Sequence, residues 1–474
     1  MKEDTIDKYN WFLGKSGIER KEYQLEGIQW CVKMETHTDP ELPIRGGFIA
    51  DEMGLGKTIM MIATFIVNFL PHTLIVLPNI LLEQWESEIF RTTGHHALIY
   101  YGANKKNITM EQLKSSFIVL TTYNTVALSE TSSTSLLSPL HQIKWNRIVF
   151  DEAHHLRNRN RRWFGSRMLK SNIRWLISGT PVQNKRTDFF NLCSVLKMPP
   201  SYYAEEDNLI HLVKHFILKR TKKQVGISLP PVNLEVKSVL WKNDGEKILA
   251  QDIHKALYRS SSKLKFFMHA RQSCILPSLL KPNLRSLISD QNIPSHHSNT
   301  DATLYSSKMD SVISTVLSRK GNGNGKLVFC HFRAEIDTIV NRLREGNLSN
   351  VCTFDGRDKQ AVRFRRLKED YEVIVLQIQT GCEGLNLQKN YSEIYFVSPH
   401  WNPAIEDQAV ARCHRIGQTK PVYVFRFYMN SFEDDKQTQQ HIALDHYISL
   451  LFKMVREKLA ILFYHEYLFV IVSY

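Results

Sequence analysis

The sequence predicts an α/β fold made of two doubly wound parallel-sheet lobes joined by a helical connector. Short apolar runs that end in small or polar residues alternate with segments of helical length, which is typical of parallel sheets. This alternation stops near residue 235 and restarts after a basic, helix-prone stretch and a polar loop. The length of 474 residues also fits roughly two to three domains rather than one.

Each lobe contributes five predicted strands. Those of the first lobe lie at 47–51, 73–78, 117–122, 147–152 and 174–180. Those of the second lobe lie at 326–332, 350–356, 372–378, 393–399 and 421–427. We therefore predict a first lobe at 1–235, a connector at 236–305, a second lobe at 306–440 and a C-terminal helical tail at 441–474.

The charge balance predicts an anionic partner. Lys and Arg number 61 against 47 acidic residues, so the formal net charge is +14. Nucleic acid is the first candidate for such a partner and a membrane surface the second. The apolar stretch at 459–474 is shorter than the roughly 20 residues that a membrane span needs, and the N-terminus lacks the apolar region of a signal peptide. We expect a protein that is neither secreted nor membrane-bound.

The cysteines and histidines predict no metal centre. Seven cysteines lie far apart without a CxxC pair, which argues against a disulfide framework and against a Cys-rich zinc site. The paired histidines at 95–96, 154–155 and 296–297 lack partners at metal-ligand spacing. We therefore expect no zinc.

A glycine-rich loop follows the first predicted strand. The string DEMGLGKT at 51–58 runs from a strand into an apolar helix, which is the context of a phosphate-binding loop. We expect the backbone N–H groups of Gly54, Leu55 and Gly56 to surround a phosphate. Lys57 would reach the β and γ oxygens, and the Thr58 hydroxyl would hold Mg²⁺. The strict pattern GxxxxGK[ST] has glycine where this chain has Asp51.

A carboxylate pair follows a later strand of the same lobe. Asp151 and Glu152 in DEAH come at the carboxyl end of a buried strand, where ligands gather in open α/β sheets. Asp151 would hold Mg²⁺ through water, and Glu152 would orient and deprotonate the attacking water. The phosphate-binding loop and this carboxylate pair together predict hydrolysis of a nucleoside triphosphate.

Further segments in order along the chain identify a family. They are EYQLEGIQW (22–30), LPNILLEQW (77–85), TTY (121–123), SGTPVQN (178–184), FILKRTKKQV (216–225), GLNL (384–387), WNPAIEDQA (401–409) and RCHRIGQTKPV (412–422). With DEMGLGKT and DEAH, they make the chain resemble the Snf2 family of superfamily 2 helicase-like ATPases, from about residue 20 to about 435.

The resemblance implies two RecA-like lobes, ATP and Mg²⁺ as cofactors, and roles for further residues. Gln24 would read the adenine edge, and Arg412 and Arg415 would act as arginine fingers from the second lobe. The alternative for both arginines is a helix face paired with Glu406 and Asp407. Lobe coupling would fall to seven residues: Ser178, Gly179, Thr180, Gln183, Gly384, Asn386 and Gln408.

The resemblance also implies contacts with the backbone of duplex DNA. Asn79, Thr121 and Thr122 match segments that make such contacts. Arg157 and Arg159 lie in a basic loop just after DEAH that would touch phosphate, with a nuclear-targeting signal and a solvated turn as alternatives. The basic string LKRTKKQV adds four candidates for phosphate contacts, which are Lys219, Arg220, Lys222 and Lys223.

The resemblance therefore implies a DNA-dependent ATPase that translocates along duplex DNA, in chromatin remodelling, transcription or repair. Its partners would be duplex DNA and, beyond that, nucleosomes or a transcription or repair complex. We expect it in the nucleus or at another site of DNA metabolism. Two alternatives stay open, namely a strand-separating superfamily 2 helicase on DNA or RNA, and a catalytically weak DNA-binding scaffold.

Overall fold

The computed structural model describes residues 2–37, 39, 42, 44–129, 138–179, 186–259, 263–290, 292–299, 301–357, 362, 365–366, 369–378, 386–400 and 403–430. The chain divides into two compact units, of which the first runs to Ser228 and the second begins at Leu229. Each unit is an α/β domain around a parallel sheet, so the predicted fold class is confirmed.

The first unit is built on a seven-stranded parallel sheet. Its strands are β1 (Gly46–Ile49), β2 (Thr73–Leu77), β3 (Leu98–Ile99), β4 (Ile118–Thr122), β5 (Lys144–Asp151), β6 (Lys170–Ile177) and β7 (Ile217–Leu218). They follow the order β3-β4-β2-β5-β6-β1-β7, and neighbouring strands pair in parallel. Because β1 and β5 both flank β6, their carboxyl ends lie at the same edge of the sheet.

Eleven helices are described in the first unit. They are α1 (Lys2–Ser16), α2 (Glu22–Thr36), α3 (Lys57–Val67), α4 (Leu82–Thr93), α5 (Met110–Ser115), α6 (Tyr123–Val126), α7 (Pro139–Gln142), α8 (Arg161–Met168), α9 (Arg186–Val195), α10 (Pro200–Ala204) and α11 (Glu206–Phe216). The strand β2, with the sequence TLIVL, is buried at all five positions, as expected for a parallel sheet covered on both faces.

A buried ion pair fixes helix α2 to the sheet. Glu35 of α2 accepts hydrogen bonds from the guanidinium of Arg147 on β5 and from Trp175 Nε1 on β6, the latter at 2.8 Å. The side chains of Glu35 and Arg147 are both fully buried. The position of α2 relative to the carboxyl edge of the sheet is therefore set by contacts to two of its strands.

The second unit is built on a six-stranded parallel sheet. Its strands are β8 (Val232–Val239), β9 (Gly325–Cys330), β10 (Val351–Phe354), β11 (Val373–Gln377), β12 (Tyr391–Phe396) and β13 (Val422–Met429), in the order β10-β11-β9-β12-β13-β8. Its described helices are α12 (Asp244–Arg259), α13 (Lys263–Ile275), α14 (Lys281–Ser289), α15 (Ser307–Ser318), α16 (Arg333–Glu345) and α17 (Pro403–Val410).

The expected domain boundary and the observed division differ. We placed the end of the first lobe at 235, but the second unit begins at Leu229 and strand β8 forms the edge of its sheet beside β13. The connector belongs to this unit as well, and its helices share a small core of apolar side chains that includes Leu249, Ile253 and Leu287. The expected tail at 441–474 lies outside the described residues.

Among the helices that the structure describes, none combines the length and the apolar character that a membrane span requires. The apolar stretch at 459–474 lies outside this part of the chain.

Candidate nucleotide site

The glycine-rich loop connects β1 to α3 at the carboxyl edge of the first sheet. Gly54 and Gly56 have φ values of 92° and 80°, a left-handed conformation that favours glycine. Helix α3 begins at Lys57, directly after Gly56. The turn thus directs the N-terminal N–H groups of a helix toward the space above β1, which is the arrangement that binds a phosphate.

The Lys57 ammonium lies over this loop. Its Nζ donates to the carbonyl oxygens of Asp51 at 2.8 Å and Glu52 at 3.4 Å. Gly179 of the SGT segment is adjacent, since a Cβ placed on it would lie 3.6 Å from the Nζ and 3.1 Å from Met53 Cγ. The SGT segment and the loop are therefore neighbours, and a side chain at Gly179 would crowd Met53 of the loop.

Asp151 ends strand β5 and is held by three hydrogen bonds. Trp85 Nε1 donates to Oδ2 at 2.7 Å, the Glu152 N–H donates to Oδ1 at 2.9 Å, and Tyr123 Oη donates to the backbone carbonyl at 2.6 Å. Burial raises the pKa of Asp151 to about 6, the Glu152 carboxylate acts in the same direction, and the Trp85 bond opposes them. A divalent cation is the kind of partner that would reverse this shift.

Glu152 adopts a left-handed backbone conformation, with a φ of 49°. This is uncommon for a residue with a long side chain, and such conformations cluster at functional sites. The carboxylate lies 3.3 Å from His154 Nδ1 and is only partly buried. The turn after β5 therefore separates the roles of the two acids, because Asp151 is enclosed while Glu152 retains access to solvent.

Gln24 contacts the loop from helix α2. Its Nε2 donates to the Leu55 carbonyl at 3.2 Å, and a Cβ placed on Gly56 would lie 2.5 Å from this nitrogen. The side chain is 4% exposed, and its Oε1 has no hydrogen-bond partner among the described residues. A buried acceptor without a partner costs free energy unless a ligand completes it.

The first loop position has a structural role that sequence reasoning missed. Arg220 holds the Asp51 carboxylate, with Nη2 at 2.6 Å from Oδ2, Nε at 3.2 Å from Oδ1 and its own N–H at 2.9 Å from Oδ1. The side chain of Asp51 is 2% exposed. Asp51 thus replaces the usual glycine with an anchor for a segment about 170 residues later in the chain.

A second pair follows beside the first. Lys222 Nζ lies 2.9 Å from Glu52 Oε1, and the Lys222 N–H donates to Glu52 Oε2 at 2.8 Å. The sequence makes Arg220 and Lys222 candidates for contacts with DNA phosphates, and in the structure both pair with acids of the first unit. They neutralise the two acids that open the DEMGLGKT string. The sequence feature that could have indicated this pairing is the adjacent acidic pair Asp51 and Glu52, because two neighbouring carboxylates at a buried loop need cationic partners.

The described lobe-coupling candidates are distributed over both units. In the first unit, Ser178 is buried and donates its N–H to the Ile49 carbonyl at 3.0 Å. In the second, Gln408 on α17 is 2% exposed, and its Nε2 lacks a hydrogen-bond partner within the described part of the chain. Thr180, Gln183 and Gly384 lie outside the described residues.

The two candidate arginine fingers lie in the turns that follow α17. Arg415 Nη1 donates to Asn386 Oδ1, and burial together with the nearby Arg412 lowers the pKa of Arg415 to about 10. Glu406 instead pairs with Arg426 at 2.8 Å. The alternative to the arginine-finger role pairs Arg412 and Arg415 with Glu406 and Asp407. Of these two carboxylates, Glu406 is therefore bound by Arg426 instead.

Among the candidates for DNA contact, the two threonines are enclosed. Thr121 is fully buried and its hydroxyl donates to the Tyr100 carbonyl at 2.9 Å. Thr122 is 3% exposed and caps α6 by accepting the Thr125 N–H at 3.3 Å. Both side chains make hydrogen bonds within the first unit, and their contact with DNA stays a prediction.

Asn79 and the basic loop after DEAH do reach the surface. Asn79 is exposed at the start of a short 3₁₀ turn after β2. Arg159 is exposed, donates from Nε to Asn191 Oδ1 at 2.9 Å and lies over the Trp163 ring at 5.4 Å. Arg157 is partly exposed and accepts from Asn191 Nδ2 through its carbonyl at 2.7 Å. These residues remain DNA-binding candidates.

Comparisons with known proteins identify the family. A family model described as the SNF2-related domain matches residues 23–279, which is more than half of the chain. The chain belongs to the Snf2 family. A second model, the helicase conserved C-terminal domain, matches residues 307–417. The two Snf2 lobes are RecA-like, and the family consists of helicase-like enzymes that use ATP.

The chain is similar to much longer Snf2 proteins and to one of comparable length. It is 28% identical to the chromodomain-helicase-DNA-binding protein 8 of Danio rerio, over 91% of this chain and 19% of that protein. It is 26% identical to the probable global transactivator of Orgyia pseudotsugata multicapsid polyhedrosis virus, over 88% of this chain and 90% of that protein. The chain thus spans about a fifth of the first relative.

Among solved structures, the SWI2/SNF2 ATPase core of Sulfolobus solfataricus in complex with dsDNA is 22% identical. It aligns over 90% of this chain and 91% of that one, with a TM-score of 0.40.

The residues at the loop fit an adenine nucleotide with a divalent cation. Gln24 Oε1 is a buried acceptor that lacks a partner within the described part of the chain, next to a loop with the backbone geometry of a phosphate cradle. The Thr58 hydroxyl and the Asp151 carboxylate are the oxygen ligands that Mg²⁺ prefers. In this Snf2 protein, Lys57 would hold the phosphates and Gln24 the adenine.

Proposed function

We propose that the chain is an ATP-dependent motor that hydrolyses ATP on duplex DNA and translocates along it. One observation carries the hydrolytic part of this proposal. The parallel strands β1 and β5 end at one edge of the first sheet, and they deliver a lysine-bearing phosphate loop and a carboxylate pair to that edge. The positive charge of Lys57 lowers the pKa of Asp151, although burial outweighs it, so the two groups interact.

The described side chains divide the chemistry among themselves. With Mg·ATP bound, Lys57 would exchange its two carbonyl partners for phosphate oxygens, and Thr58 and Asp151 would hold the cation. Glu152, in its solvent-accessible position, orients a water and accepts its proton. Mg·ATP supplies the phosphoanhydride bond and part of the charge neutralisation when it is bound.

The second unit contributes positive charge. Arg412 and Arg415 stabilise the charge that develops on the transferred phosphoryl group, which is the role of arginine fingers. Asn386 holds the Arg415 guanidinium in a defined position through its Oδ1. Because both arginines belong to the second unit, we expect hydrolysis to need these residues as well as the loop of the first unit.

The net charge of the chain and the names of its relatives support duplex DNA as the substrate of the motor. A net charge of +14 favours a polyanion, and contacts with phosphates carry no sequence preference. Relatives in the family are described as DNA-binding and chromatin-remodelling proteins. These observations support our proposal that the motor acts in chromatin remodelling, transcription or repair, in the nucleus or at another site of DNA metabolism, with nucleosomes as a further partner.

The first experiment measures ATP turnover with no nucleic acid, single-stranded DNA, duplex DNA, RNA and nucleosomes. We expect duplex DNA to stimulate hydrolysis and RNA not to. The Lys57→Ala variant should lose hydrolysis, and Glu152→Gln should bind ATP without turnover. Wild-type turnover by Glu152→Gln would refute the assignment of the base, and absence of turnover under every condition would favour the catalytically weak scaffold.

The second experiment separates translocation from unwinding. A triplex-displacement assay reports movement along an intact duplex, and a forked duplex reports strand separation. We expect ATP-dependent displacement of the third strand and an intact fork. Efficient opening of the fork, or stimulation by RNA alone, would favour the strand-separating helicase.

A further inference from the structure

Three metal-ligating side chains meet in the helical connector of the second unit. Asp252 lies on α12, and His296 and His297 lie on a 3₁₀ turn at Ser295–Asn299. One donor atom from each lies within 4.8 Å of the other two. His297 Nε2 is 3.0 Å from Asp252 Oδ2, close to the roughly 3.3 Å that separates two ligands of one tetrahedral zinc ion.

Packing holds the two halves of this cluster together. Ile293 and Ala302 flank the histidine turn on either side along the chain, and both are 4% exposed. They share one apolar core with Leu249 and Ile253 of α12, which bracket Asp252 on its own helix. The distance between the carboxylate and the imidazoles is therefore set by the connector core.

The three residues differ in how far their side chains are exposed to solvent. His297 is 2% exposed and the Asp252 side chain 12% exposed, whereas His296 is exposed. Two ligands are thus fixed, and the third stands at the surface, where an ion can enter. An accessible face also allows water to complete the coordination, as in three-ligand zinc sites.

We propose that Asp252, His296 and His297 form a binding site for a divalent transition metal ion of the zinc class. Two imidazoles and one carboxylate suit Zn²⁺, Co²⁺ or Ni²⁺, whereas Mg²⁺ and Ca²⁺ prefer oxygen ligands. The site is distinct from the nucleotide loop, which belongs to the first unit. The metal clamps the histidine turn onto α12 and stabilises the connector.

The simpler interpretation of the same geometry is a hydrogen bond between Asp252 and His297 without a metal ion. Lys255 distinguishes the two readings, because its Nζ lies 3.1 Å from Asp252 Oδ1 and leaves Oδ2 to face His297. The Lys255 ammonium beside the Asp252 carboxylate weakens the binding of a metal cation to that carboxylate through charge repulsion. Removing it with Lys255→Gln should tighten metal binding, an effect that a hydrogen bond alone does not produce.

The test is calorimetric titration of the full chain, untagged and treated with chelator, with ZnCl₂ alone. We expect one tight equivalent and a higher melting temperature, and Co²⁺ should give the absorption bands of a low-coordinate site. His296→Ala removes an exposed ligand without disturbing the core. We expect it to weaken binding by more than the roughly 10–100-fold that follows loss of a supporting hydrogen bond to a ligand.

A matched control lies in the first unit. The His95–His96 pair also stands near a carboxylate, with His96 Nδ1 at 2.5 Å from Glu86, but it lacks the third converging donor in the described structure. The His95→Ala variant should bind Zn²⁺ like the wild type. Failure of the wild type to bind Zn²⁺, or unchanged affinity in His296→Ala, overturns the proposal.

Discussion

Removal of one member of the Asp51–Arg220 pair should destabilise the first unit. The pair has two side-chain contacts, at 2.6 and 3.2 Å, and the side chains are 2% and 12% exposed. Loss of one partner from such a buried pair costs about 3–5 kcal/mol, because the other charge stays buried without compensation. For a unit of this size, Arg220→Met should lower the melting temperature by roughly 6–20 °C.

The double variant Asp51→Ala with Arg220→Met tests the origin of this loss. Because it removes both charges, it should recover most of the stability that either single variant loses. Hydrogen exchange of β1 and α3 peptides in the full chain would localise the effect to the loop, and the KM for ATP should rise with Arg220→Met.

The neighbouring pair supplies the control for this experiment. Lys222→Met breaks a contact with Glu52, whose side chain is 40% exposed, so its loss should cost no more than about 1 kcal/mol. Equal effects of Lys222→Met and Arg220→Met, or no recovery in the double variant, would refute the reasoning from burial.

Other perturbations have separate readouts. Burial raises the pKa of Glu335 to about 7, above its ordinary value of 4.5. As the pH rises, the unfolded chain therefore loses this proton at a lower pH than the folded chain does. The contribution of Glu335 to the free energy of unfolding consequently falls between about pH 5 and pH 7. Glu335→Gln should flatten that part of the urea-unfolding profile, and an unchanged slope would count against it. Arg415→Ala should reduce turnover by roughly 10³-fold or more, with little change in the binding of a nonhydrolysable ATP analogue. Near-normal turnover would remove Arg415 from the transition state. Thr121→Val should leave DNA affinity unchanged, whereas Arg159→Ala should reduce the slope of log K against log salt by about 0.9; equal slopes in both variants would show that Arg159 contacts no phosphate.

The fold and the nucleotide loop could be predicted because their signals are local. The β1 strand, the glycine turn and α3 occupy one continuous stretch, and strand β5 runs directly into Asp151. A single segment of sequence therefore contains both the element and its functional end. The same holds for the alternation of strands and helices that predicts parallel sheets.

The features that escaped prediction depend on contacts between distant segments. Arg220 sits in a basic string that resembles a phosphate-binding surface, and only the fold brings it to Asp51. Thr121 matches a DNA-contact segment, but strand β4 directs its hydroxyl to Tyr100. His297 has no candidate metal-ligating partner close by in the sequence, because Asp252 lies 45 residues earlier on another helix.

Strand β8 has a consequence for how the protein folds during synthesis. Val232 pairs with Val422, so this edge strand leaves the ribosome roughly 190 residues before the strand it joins. At about 5–20 residues per second, it waits roughly 10–40 s for β13. During that interval, its apolar side chains at Val232, Leu234 and Val236, which stay exposed in the folded chain, border an unpaired backbone edge. The nascent second lobe therefore exposes an unpaired strand edge until β13 has been made, and a fragment that starts at residue 306 would lack the strand that completes its sheet.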